Sequence, residues 1–168
     1  MSHAICNAEK MSGTYNAVDL AMVIYAPSAT PTAIDNGNVV LLDARVTGER
    51  EVVYGVTPAA NSAKAKIALV CAPEVQYDER LAKDMANFVN EAGAVVRAYR
   101  LERAGQVFSV TADGLTGAGD AAVGDVVELQ AGTKLKIVDS LTAGSTKIGE
   151  VIDIYTLRGK TYYAIETV

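Results

Sequence analysis

The sequence predicts an α+β, β-rich fold: two small antiparallel β lobes, barrel- or sandwich-like, around one amphipathic helix. Three observations carry that prediction. The apolar half of the 168 residues is dominated by 27 Ala and 21 Val against ten aromatics and no Trp, a composition suited to thin, close-packed sheets. Short β-branched runs recur between Gly, Pro and Asn/Asp turn residues. One stretch between those runs repeats its apolar residues at helical spacing. The expected organisation is a flexible N-terminal arm (1–16), a first β lobe (17–77), a helix (78–93) and a second, barrel-like β lobe (94–168).

Taken in order, the first residues, MSHAICNAEKMSG, are small, polar and aperiodic, which predicts an arm that orders only against a partner. Ala17–Tyr25 is a mostly apolar run closed by Pro27, and Val23 and Ile24 favour a strand. Asp35-Asn-Gly before Val39-Val-Leu-Leu42 is a strand start. Gly48 breaks it, and Glu51–Thr57 returns as its partner. Ile67–Ala72 is wholly apolar, as a strand buried on both faces would be. Asp78 is placed to cap a helix, with Leu81, Met85, Phe88 and Ala92 on one face and Gly93 as its stop. The periodicity predicts that Leu81, Met85 and Phe88 face the core.

Beyond the helix, Ala94–Leu101 and Val107–Thr111 flank Glu102–Gly105 like a hairpin. Val126–Gln130 with Thr133–Asp139, and Ile148–Tyr155 with Thr161–Thr167 across Arg158-Gly159, read as two more. The chain also echoes itself. Asn36-Gly-Asn-Val-Val-Leu-Leu42 resembles Val123-Gly-Asp-Val-Val-Glu-Leu129. Each is followed by a hairpin strand, a small-residue loop containing Lys64 or Lys147, and an apolar strand. A three-strand unit on each side of the helix is expected.

The net charge of −5 and pI near 4.9 disfavour a partner recognised through its phosphates. The densest basic stretch, Arg97, Arg100 and Arg103 with Glu102 between, reads as a solvated strand edge. No apolar window approaches the length of a membrane span, and the N-terminus lacks the pattern of a secretory signal. Cys6 and Cys71 supply no disulfide framework; Cys71 reads as a small buried hydrophobe, and the lone His3 sits in the arm, away from any nucleophile. Gly117-Ala-Gly-Asp-Ala-Ala122 matches a loose dinucleotide-loop pattern, but a turn and strand follow it where a helix is required. Asp19 with Asp43, and Asp113 with Asp120, can be posed as acid and base only if the fold brings them together. Tyr77, Tyr99, Tyr155, Tyr162 and Tyr163 can stack a ligand or pack with their hydroxyls at a wet rim. No catalytic, cofactor-binding or metal-binding residue is assigned, and no cofactor is expected.

Several segments together resemble a known kind of protein. They are Asp35–Asp43, Ile67–Glu74 and Asn90–Gly93 in the first half, and Phe108–Thr111, Gly124–Leu135 and Gly144–Gly149 in the second. They resemble a protein of tailed phages and prophages of gut and other Gram-positive bacteria, encoded near the major capsid gene. The second half is similar to small β-barrel head-decoration (cement) proteins, which share Gly-Asp-x-Val-x-Leu, a Gly-bounded hairpin, then Ile-Gly. The resemblance spans roughly residues 17–168. It implies a non-enzymatic bacteriophage head protein that stabilises the outer surface of the major capsid lattice. Its expected partners are the major capsid protein and copies of itself; neither nucleic acid nor membrane is expected, and the expected location is the virion. The helix at 78–93 departs from the all-β pattern of those proteins. Two other classes stay open: a cytosolic small-molecule binding module with a β-barrel mouth, and an enzyme of unrecognised type.

Overall fold

The computed structural model describes residues 2–11, 19–75 and 84–168. Among the described residues twelve strands form: β1 (Cys6–Lys10), β2 (Leu20–Tyr25), β3 (Val39–Arg45), β4 (Val52–Val56), β5 (Ile67–Val70), β6 (Val96–Arg100), β7 (Val107–Thr111), β8 (Leu115–Thr116), β9 (Val126–Glu128), β10 (Leu135–Val138), β11 (Lys147–Leu157) and β12 (Lys160–Thr167). Five of them close a barrel in the order β2-β4-β3-β5-β6. The other seven make one sheet, β1-β7-β12-β11-β9-β10-β8.

Over its described residues, 84–93, the expected helix does not form. Residues 78–83, with its cap Asp78 and Leu81, lie outside the described residues. From Asp84 onward the chain makes a single 3-10 turn, Met85–Asn87, flanked by extended backbone at Asp84 and Phe88. The Asp84 carboxylate caps that turn by accepting the Ala86 N–H at 3.0 Å. Asn90 then joins Ile34 in an isolated β-bridge and donates its side-chain amide to the Ile34 carbonyl. Tertiary pairing therefore overrides an apolar periodicity that is carried by weak helix formers, Asn87, Phe88, Val89 and Asn90. Met85 is 43% exposed and Phe88 only half-buried, so neither is the core residue that the spacing predicts.

Nor are the lobes purely antiparallel. β2 runs parallel to β4, and β8 parallel to β10. The segment after residue 94 also divides differently: β6 pairs with β2 and β5 and closes the barrel, while β7 pairs with β1 and β12. Glu102–Gly105 is a link between sheets and not a hairpin turn. The hairpins β9/β10 and β11/β12 form as expected, the second across Arg158 and Gly159, both at positive φ (51° and 76°) as a two-residue twisted turn requires.

The internal echo goes further than three strands. β2-β4-β3-β5-β6 and β8-β10-β9-β11-β12 have the same order and the same strand senses. Hydrogen bonds repeat too. The Gly37 N–H donates to Val70 O at 2.8 Å and the Val70 N–H to Asn38 O at 2.8 Å. In the second unit the Gly124 N–H donates to Val151 O at 2.8 Å and the Val151 N–H to Asp125 O at 2.9 Å. The units differ in closure. β6 returns to β2, whereas β12 meets β7, which passes through the 3-10 turn Ala112–Gly114 into β8 at the far edge of the sheet.

Period-2 alternation sorts the core. In β5, Ala68 and Val70 fill the barrel with Val23, Tyr25, Val40, Leu42, Val96 and Ala98. Ile67 and Leu69 point the other way and join Phe108, Val127, Leu129, Leu135 and Ile165 in the layer between barrel and sheet. β5 is buried on both faces, as its wholly apolar sequence predicts. Gly55 lets the barrel close tightly, since a Cβ there would meet Val23 Cγ1 at 2.5 Å.

Candidate interaction surface

The N-terminal segment is a structural part of the molecule. Ala4, Ile5 and Cys6 are buried, and β1 lies along β7 from Cys6↔Val110 to Lys10↔Val107. The Ile5 N–H donates to the Thr111 hydroxyl and the Thr111 N–H to Ile5 O, both at 3.0 Å. The His3 ring lies 2.7 Å from an Asp35 oxygen. Of the arm expected over 1–16, residues 2–11 are instead held by backbone pairing within the molecule, and residues 12–16 lie outside the described residues.

Beside it, the Asn36 amide ties three segments together. Its Nδ2 donates to Ala72 O (2.9 Å) and Glu74 Oε1 (3.2 Å). Its Oδ1 accepts from the Ala72 N–H and from Asn90 Nδ2, each at 3.0 Å. Asn36 is fully buried. Burial raises the Glu74 carboxyl above its ordinary value, with the Asn36 hydrogen bond opposing it. The two cysteines also meet here, with Cys71 Sγ donating to Cys6 O at 3.5 Å. Sequence reading missed both features, because residues far apart in the chain supply them.

Among the described residues, those singled out for chemistry do not converge; Tyr77 lies outside the described residues. Asp19 is buried against Arg103 Nε at 3.0 Å, while Asp43 is exposed. Asp113 accepts from Ser2 at 2.9 Å, and Asp120 ends a 3-10 turn. Gly117 starts that turn in the left-handed region (φ 79°) and extended backbone follows it at Ala121, so the segment is a loop. Tyr155 and Tyr162 stack at 5.4 Å, the Tyr155 hydroxyl donates to Glu9 at 3.1 Å, and the buried Tyr163 hydroxyl donates to Ala118 O at 2.7 Å. Arg97 and Arg100 sit on β6, inside the barrel wall and not on a strand edge. Among the described residues no three His, Cys, Asp or Glu side chains gather as metal ligands.

Besides Asp19, a second carboxylate is buried and well partnered. Glu128 is 1% exposed and accepts the Thr142 N–H (2.8 Å), the Thr142 hydroxyl (2.7 Å) and Lys136 Nζ (3.4 Å). Burial alone would raise its pKa, but these donors outweigh it and hold the carboxyl below the ordinary range. Its place in the β9/β10 hairpin and its saturated acceptors make it a structural brace for the 139–146 loop.

Two concavities flank the barrel. A bowl of about 370 Å³ at one barrel mouth is ringed by Arg45, Arg50, Arg100 and Glu51; the barrel beneath it is filled by the side chains named above. A larger groove of about 640 Å³ runs between the barrel and the 84–95 segment, with Val75, Phe88, Val89 and Val95 as its apolar wall and Glu91 and Arg97 at its polar rim. Val75 (56%), Val95 (48%) and nearby Met85 (43%) are the most exposed apolar side chains of this region. An apolar, open, polar-rimmed surface of this kind suits contact with another protein better than enclosure of a small molecule. No family model matches the chain, and no match is found among the curated proteins or the solved structures.

Proposed function

We propose that the chain is a structural protein of a bacteriophage head, a decoration (cement) protein that binds the outer surface of the major capsid lattice and self-associates there. The observation that carries this reading is where the resembling residues fall. Gly124-Asp-x-Val-x-Leu129, the Gly-bounded hairpin and Ile148-Gly149 make up one continuous unit, β10-β9-β11. In addition, the helical turns lying wholly within the described residues are three residues long, so over residues 84–93 the chain does not depart from an all-β pattern. The apolar groove supplies contact area, and the net charge of −5 keeps the protein off packaged nucleic acid. A small-molecule module would need an open barrel, and this barrel is filled.

The test is attachment. Purified protein is added to phage heads that lack it, and bound copies are counted after sedimentation. Saturable binding is expected, with Val75→Asp/Val95→Asp binding at least tenfold more weakly while melting within a few degrees of wild type. No binding to heads overturns the reading.

A further inference from the structure

We propose that Cys6 and Cys71 form an intramolecular disulfide site that locks the N-terminal strand of the sheet to the barrel. They are the two cysteines of the chain and stand 65 residues apart, on β1 and immediately after β5. The fold nevertheless puts Cys71 Sγ at 3.5 Å from Cys6 O, close enough for each thiol to shift the other's pKa. Neither neighbour is free to drift. Cys6 is the first rung of the β1/β7 ladder, and the Cys71 N–H is held by Arg97 O at 3.1 Å.

The two sulfurs are unequal in the way an exchange reaction needs. Cys6 is buried and Cys71 partly exposed. The Cys6 hydrogen bond lowers the Cys71 pKa, burial and Glu74 oppose it, and the Ala8 N–H and Arg97 assist. The Cys6 thiol is pushed up, first by that same bond and then by burial. Cys71 is thus the attacking thiolate and Cys6 the resolving thiol. With a small disulfide such as oxidised glutathione, Cys71 attacks one sulfur, forming a mixed disulfide and releasing one glutathione thiolate. Cys6 then gives up its proton, attacks Cys71 Sγ and expels the second glutathione. Two protein thiols become one disulfide, and one oxidised glutathione becomes two reduced ones.

The bond would close a long loop and tie β1 of the sheet to the barrel, which stabilises chiefly by restricting the unfolded chain. On the head-protein reading the lock would form after release into an oxidising medium, but the chemistry does not depend on that reading.

Full-length protein purified under reducing conditions is incubated with oxidised glutathione, then followed by intact-mass measurement, thiol titration, peptide mapping and thermal melting. Expected are loss of two hydrogens, no titratable thiol, one cross-linked peptide joining the Cys6 and Cys71 segments, a monomeric product, and a Tm higher by about 5–10 °C. Cys6→Ser should retain one glutathione on Cys71, and Cys71→Ser none. The proposal is overturned if wild type keeps both thiols, holds a stable glutathione adduct, cross-links between chains, or melts no higher when oxidised.

Discussion

Replacing Asn36 by Ala removes a fully buried side chain that makes four hydrogen bonds to two other segments, 72–74 and Asn90. A made bond contributes about 1 kcal/mol net, and each buried partner left without one costs about 1–3 kcal/mol. The Ala72 N–H and the Asn90 amide lose their acceptor, although Asn90 Nδ2 keeps Ile34 O. A water in the vacated space would recover part of the loss, which brings the expected cost to about 3 kcal/mol. In a chain of this size that lowers Tm by about 6–12 °C. Urea denaturation of wild type and Asn36→Ala, followed by tyrosine fluorescence and far-UV circular dichroism, gives the difference directly, with the slope m unchanged if both unfold in one step. Asn36→Asp should be worse near neutral pH, because its second oxygen faces Ala72 O and the Glu74 carboxylate. A loss below about 1 kcal/mol for Asn36→Ala would refute the claim that this amide holds the three segments together.

Four further outcomes follow from the same packing. Phe108 is fully buried between barrel and sheet, so Phe108→Ala should cost about 3–5 kcal/mol in the same denaturation assay. At Gly149 an added Cβ would stand 2.2 Å from Glu166 O; the obstacle is backbone, so Gly149→Ala should cost about 3 kcal/mol or more. Glu128 has a depressed pKa, so its stabilisation is complete above the unfolded carboxylate value of about 4.3 and is lost as pH falls through the lower folded value. The stability gap between wild type and Glu128→Gln, measured by urea melts from pH 7 to pH 2.5, should therefore be constant above about pH 5 and shrink below pH 4. Removing residues 1–10 strips β1 from β7 and uncovers Val110, so the truncated chain should melt at least 10 °C lower by calorimetry or fail to fold.

Much of the second half was legible because its signals are local. Arg158-Gly159 and the runs on either side of it specify β11/β12 without help from the rest of the chain. The same is true of β3 after Asp35-Asn-Gly37 and of the doubly buried β5. The failures are non-local. The 84–92 segment carries apolar residues at helical spacing, yet its extended course is set by the bridge from Asn90 to Ile34. β6 and β7 look like a hairpin, and only closure of the barrel sends β6 elsewhere. Residues 2–10 look like an arm because too few are apolar to fold alone, but β7 offers a ready edge and Ile5 finds a pocket with Ala86 and Tyr162. The Asn36 cluster did leave a trace in the sequence. Asn36 stands where the echoed unit has the exposed Val123, a polar-for-apolar difference that marks where the first unit does something the second does not.

Quantitative mass spectrometry of purified particles, made by the genome that encodes this chain, decides whether it is a component of a phage head. The chain should be present in a fixed, high copy number relative to the major capsid protein, comparable to the number of capsid lattice sites. Absence from the particles, or a trace amount that falls with each further purification step, would contradict it.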